Sequence, residues 1–152
     1  MSLEAKVPPP VVTLAAGAIM WGIARFAPEF AMPSGIRLGL SAAILVVGIG
    51  FSAAGIRSFR RARTTIKPTR PEKASSLVRT GVYRVTRNPM YLGLLLALGA
   101  WAVFLSSAWA LLGMAGFVLY LNRFQIEPEE RALASLFGAE YASYKASVRR
   151  WL

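Results

Sequence analysis

The stretch NPMYLGLLLALGAWAVFLSSAWALLGMAGFVLYLN, residues 88–122, decides the fold: 35 residues between Arg87 and Arg123 carry no charge. As one helix rising about 1.5 Å per residue it would measure about 52 Å, far more than the roughly 30 Å of bilayer hydrocarbon. A break is therefore expected, best placed at Leu105-Ser106-Ser107, which leaves two short spans packed as a hairpin. Working outward, Leu38 to Ile56 gives 19 residues without a charge, close to the length of one span. Between Lys6 and Arg25 lie 18 more, opened by Pro8, Pro9 and Pro10, which suit a helix start and not its middle.

Composition agrees. Of 152 residues, 55% are hydrophobic and 16% charged, and the mean hydropathy of +0.48 is too apolar for an ordinary soluble surface. The expected fold is all-α integral membrane, with about four transmembrane helices at approximately 10–26, 37–56, 89–105 and 107–123. A C-terminal amphipathic cytoplasmic helix is expected over 128–148, because Leu133, Leu136, Phe137, Tyr141, Tyr144 and Val148 recur at helical spacing. The chain reads as one domain.

Orientation follows from charge. The connection 57–88 holds ten Lys or Arg and one acid, Glu72, so it is expected on the cytoplasmic side with both termini, in the inner membrane if the source is bacterial. Basic residues beside spans report topology and contact with anionic lipids, so membrane lipids are expected partners and nucleic acid is not. No cleavable signal peptide is expected. The glycines of GIGFSAAG (48–55) lie inside a span and read as close helix packing, not as a phosphate-binding loop.

The chain contains no cysteine and no histidine. That removes thiolate nucleophiles, the commonest metal ligands and the ready general base near neutrality, so no metal site is expected. Two polar segments remain at the cytoplasmic ends of the hairpin: 75–93, with Tyr83, Arg87, Asn88 and Tyr91, and 123–144, with Arg123, Glu129 and Glu130. A hairpin brings its ends together, and arginines, tyrosines and paired carboxylates at the rim of a bundle can form a small-molecule site. Each also has an ordinary reading: Asn88-Pro89 as a helix start, the tyrosines as interfacial aromatics, and Pro128-Glu129-Glu130 as a first helical turn.

The run GVYRVTRNPMYLG (81–93) resembles the G-x-Y-x-x-x-R-H-P-x-Y-x-G signature of the isoprenylcysteine carboxyl methyltransferases and their phospholipid-methyltransferase relatives. Glu129-Glu130, followed by Leu-Phe-Gly and Glu-Tyr-x-x-Tyr, resembles their second signature, and the resemblance covers about residues 57–151. It implies an enzyme that transfers a methyl group from S-adenosylmethionine, leaving S-adenosylhomocysteine, in a cytoplasmic-side pocket capped by the C-terminal helix. Cofactor-contacting positions fall on Leu77, Val78, Tyr83, Asn88, Pro89, Met90, Tyr91 and Glu129, with Glu130 as the second acid. Asn88 stands where the family has histidine, and can hydrogen-bond but not carry a proton. Gln125 stands where the eukaryotic prenylcysteine enzymes have a substrate-binding arginine, and Arg123 is expected to position the acceptor instead.

An in-line methyl transfer needs mainly alignment of acceptor, methyl and departing sulfur. With Arg123 to grip a carboxylate, the sequence ranks a lipophilic carboxylate or thiol above a phospholipid amine, which would need Glu129 or Glu130 raised by burial to act as base. A non-enzymatic four-span protein such as a small exporter is the rival, but no ionisable residue lies within 38–56 or 88–122 to couple to protons.

Overall fold

The computed structural model describes residues 6–63 and 76–152, and among these every regular element is helical. The elements are α1 (Pro9–Phe26), α2 (Ser34–Arg61), a 3-10 turn (Gly81–Arg84), α3 (Pro89–Phe104), a 3-10 turn (Ala108–Ala110), α4 (Leu111–Leu121), a π turn (Asn122–Ile126) and α5 (Glu127–Ser147). Proline sits in the first turn of α1, α3 and α5, where its missing N–H costs nothing.

Helix α3 is the centre of the bundle. Its glycine-bearing face lies against α2 so closely that a Cβ on Gly93 would meet the backbone oxygen of Gly48 at 2.5 Å, and a Cβ on Gly48 would meet that of Gly93 at 2.8 Å. Between apolar helices in lipid there is little hydrophobic driving force, and close van der Waals approach of small residues takes its place. On its other side α3 meets α1, fastened by the Trp101 indole N–H donating to the Gly17 carbonyl at 3.1 Å. Met20 of α1 fills the space over Gly113 of α4, and Ala16, Met20, Tyr91, Leu98, Phe117, Leu121 and Ile126 form the core.

The chain turns between α3 and α4 at Leu105–Ser107, with Ser106 in the left-handed region at φ 50°. The Phe30 N–H donates to the Ser106 carbonyl at 2.7 Å, so the α1–α2 connection lies at this same end. The start of α3, the π turn and the start of α5 therefore gather at the opposite end.

Helices α1 and α2 are long and apolar enough to cross a membrane, whereas α3, also apolar, has 16 residues. Their large side chains point outward: Leu14, Ile19 and Trp21 on α1 and Leu38, Val46 and Ile49 on α2 are exposed. That is the reverse of a soluble core helix, and it marks the protein as membrane-associated.

Two details differ from the sequence expectation. The fourth span, expected over 107–123, and the C-terminal helix, expected over 128–148, are continuous: the backbone runs from α4 into α5 through the π turn, whose ends both keep helical angles. The interruption comes later, at Gly138 (φ 47°, ψ −121°), a conformation that glycine adopts without a Cβ clash.

Candidate functional site

Tyr91 lies in the first turn of α3, directed inward by the Pro89 start, and Glu129 lies in the first turn of α5. The Tyr91 hydroxyl donates to Glu129 Oε1 at 2.5 Å. Gln125, buried in the π turn, donates its Nε2 to the same oxygen at 2.6 Å. Protein surrounds Glu129 deeply, yet the residue keeps some accessible surface.

Burial lifts the Glu129 carboxyl to about 7, opposed by the hydrogen bonds from Tyr91 and Gln125 and assisted by the charge of Glu130. Tyr83, buried in the 3-10 turn, lies within electrostatic range of Glu129, and its hydroxyl is raised first by burial and then by Tyr144 and Glu129. The Tyr83 ring meets Phe59 of α2 edge-on, with centroids 5.5 Å apart, and its carbonyl accepts the Tyr144 hydroxyl at 2.7 Å.

Glu130 faces elsewhere. Arg150 grips it through Nε to Oε1 at 3.0 Å and Nη2 to Oε2 at 2.9 Å. Arg87 adds Nη2 to Oε1 at 3.1 Å, and Lys145 adds Nζ to Oε2 at 3.2 Å. Burial alone would raise this carboxyl, but the Arg150 hydrogen bonds and the Arg87 charge hold it below the ordinary carboxylate range. Both oxygens are occupied by the protein's own cations, so the arrangement makes Glu130 a structural counter-ion.

Of the residues singled out in the sequence, Tyr83, Tyr91 and Glu129 come together. Pro89 is buried at the head of α3, and Met90 beside it packs so near Gly55 that a Cβ there would lie 2.9 Å from Met90 Cγ. Val78 is buried and Leu77 half-buried in the segment leading to the 3-10 turn. Asn88 turns its Nδ2 to the Arg150 carbonyl at 2.9 Å. It occupies the cap position of α3, but its side chain makes no cap hydrogen bond. Arg123 is exposed, with Nη1 3.5 Å from Glu127 Oε2 and its guanidinium over the Phe124 ring.

Gln125 entered the sequence reading only as a departure, yet here it orients Glu129. Arg87, Arg150, Asn122 and Trp151 also went unassigned. Their roles arise from contacts across the chain, such as Trp151 Nε1 donating to Asn122 Oδ1 at 3.1 Å, which no local spacing reveals.

A helical membrane-associated protein with a tyrosine–carboxylate cluster at one end of its bundle is the class these features define. The chain belongs to the phospholipid methyltransferase family, whose sequence profile matches residues 36–140. That span takes in α2 through most of α5 and leaves out α1 and residues 141–152. Membership makes this an enzyme of a methyltransferase family, against the non-enzymatic alternative. The chain is also similar to an uncharacterised protein of Haemophilus influenzae, 54% identical over 63 residues that make up 41% of this chain and all of the relative.

Proposed function

We propose that this protein is a four-span enzyme that transfers a methyl group from S-adenosylmethionine to the amine of a phospholipid headgroup. Helices α1 and α2 are the first two spans, α3 the third, and α4 with its π continuation the fourth. The basic rim faces the cytoplasm and anionic lipid headgroups there, and both termini lie on that side.

S-adenosylmethionine supplies an electrophilic methyl on a positive sulfur, together with an ammonium and a carboxylate. The cleft suits such a cation. Glu129 adds a negative charge beside Tyr83 and Tyr91, whose rings offer negative faces, and Leu77, Val78 and Met90 supply apolar surface. Tyr91 and Gln125 fix the carboxylate rotamer, which is the positioning that an in-line displacement requires.

One observation carries the choice of acceptor: Glu129 is held by Tyr91 and Gln125 in surroundings whose burial lifts its carboxyl to about 7. Arg123, expected to grip a carboxylate acceptor, is instead exposed and lies against Glu127. An amine must lose its proton before attack, and a carboxyl raised to about 7 is a base poised near neutrality. This reverses the ranking drawn from the sequence, where Arg123 counted as a cleft residue. The prenylcysteine-type carboxylate or thiol becomes the second reading.

The test is labelled S-adenosylmethionine with the purified protein in vesicles, offered phosphatidylethanolamine, a prenylcysteine analogue and a small thiol. Methylated phosphatidylethanolamine is expected, lowered on the order of a hundredfold by Glu129→Gln and unchanged by Arg123→Ala. Methylation of the carboxylate or thiol, abolished by Arg123→Ala, would restore the other reading.

A further inference from the structure

Residues 148–152 leave α5 at Val148 (φ −128°, ψ 133°) and form no regular element. They run back across the end of the bundle and touch the pieces that make up the site. The Arg87 N–H donates to the Arg149 carbonyl at 3.0 Å. The Arg150 carbonyl accepts from Thr86 Oγ1 at 3.2 Å and from Asn88 Nδ2 at 2.9 Å, while Thr86 Oγ1 accepts the Asn88 N–H at 3.1 Å. The Arg150 side chain forks onto Glu130, next to Glu129 on α5. Trp151 then bonds Asn122 of the π turn, the turn that carries Gln125.

One residue thus joins the two halves of the cleft. Through its carbonyl Arg150 holds the loop that starts α3, and through its guanidinium it holds the start of α5. Tyr91 belongs to the first half and Glu129 to the second. The two halves are also joined by the Tyr91–Glu129 bond, by Arg87 Nη2 on Glu130 and, farther along α5, by the Tyr144 hydroxyl on the Tyr83 carbonyl. Arg87 is a poor substitute tether: its side chain is 9% exposed, and its Nε and Nη1 are buried with no acceptor. Residues 148–152 all lie outside the matched family region of 36–140.

We infer that segment 148–152 is a positioning strap, with Arg150 the positioning residue that holds Asn88–Tyr91 at the separation from Glu129 that the cofactor cleft requires. The inference rests on the methyltransferase reading for its functional consequence, and on hydrogen bonds alone for its structural one. Arg150 touches neither reactant. Its removal loosens the cleft without removing any group that lines it, so cofactor affinity falls while the acceptor's KM is kept.

The experiment uses the full chain in detergent or vesicles, as wild type, Arg150→Gln and Arg150→Lys. It reads amide hydrogen exchange at Arg87 and Asn88, S-adenosylmethionine affinity, acceptor KM, and thermal stability. For Arg150→Gln, exchange at these amides and the S-adenosylmethionine Kd should each rise on the order of tenfold, with acceptor KM unchanged. Lysine, which keeps the charge but not the fork, should fall between. A lowered melting temperature with exchange and affinity both unchanged overturns the proposal, because Arg150 then contributes stability only. Wild type that binds no S-adenosylmethionine overturns the methyltransferase reading instead. The exchange rates then judge the strap alone, and unchanged rates in Arg150→Gln sink it.

Discussion

Adjacent on α5, Glu129 and Glu130 meet surroundings that move their protons in opposite directions, and pH therefore separates their roles. Glu130 holds its charge under the cations of Arg150, Arg87 and Lys145, whereas Glu129 moves from an ordinary 4.5 to about 7. A carboxyl whose folded value is raised binds its proton more tightly folded than unfolded, so stability falls as pH rises from about 4.5 to about 7 and then levels. Glu129→Gln is expected to gain stability relative to wild type across that window and to run parallel to it above, as thermal melts across pH would show. Binding of cationic S-adenosylmethionine should tighten through about pH 7 in wild type and stay flat in Glu129→Gln. A flat wild-type profile would mean that Glu129 does not face the ligand. The sequence marked both acids, because Glu-Glu after a proline at a helix start is local information. Which acid faces the cleft is set by Arg87 and Arg150, respectively 43 and 20 residues away in the chain, and no spacing within 123–130 carries that.

At the level of elements, the α2–α3 contact makes a prediction from two glycines that look alike in sequence. A methyl on Gly93 would collide with Ser52 Oγ and with the Gly48 carbonyl, whereas one on Gly50 would meet nothing within 4 Å. Gly93→Ala should cost about 1–3 kcal/mol through forced separation of the helices. Gly50→Ala should be neutral or slightly stabilising, since alanine is the better helix former. Unfolding in detergent of the two variants checks this, and equal stabilities would mean that α2 and α3 do not pack through this face. The helices themselves were legible in the sequence, because charge-free runs bounded by arginine and opened by proline leave little choice. The π turn and the Gly138 break were not. A π turn differs from an α turn by one inserted residue and has no compositional mark, and glycine at 138 reads equally as a helix end or a packing position.

For the molecule as a whole, the proposed orientation rests on charge outside the spans. Reporters at Lys67, which lies outside the described residues, and after Leu152 should both be cytoplasmic; an outward signal from either would invert the proposed site. The fourth apolar run and α5 form one unbroken helix up to Gly138, with the π turn between them. That turn has a consequence for how the chain can tolerate change. A π turn advances the following helix by one residue, about 100° of phase. Gln125 and Glu129 reach Tyr91 because of that offset. Deleting one residue from 122–126 would give a straighter, fully α-helical rod with better backbone geometry, and would swing Glu129 about a quarter-turn off the cleft. In this stretch a more regular helix is a blind one, and relatives that keep the cleft must keep the irregularity with it.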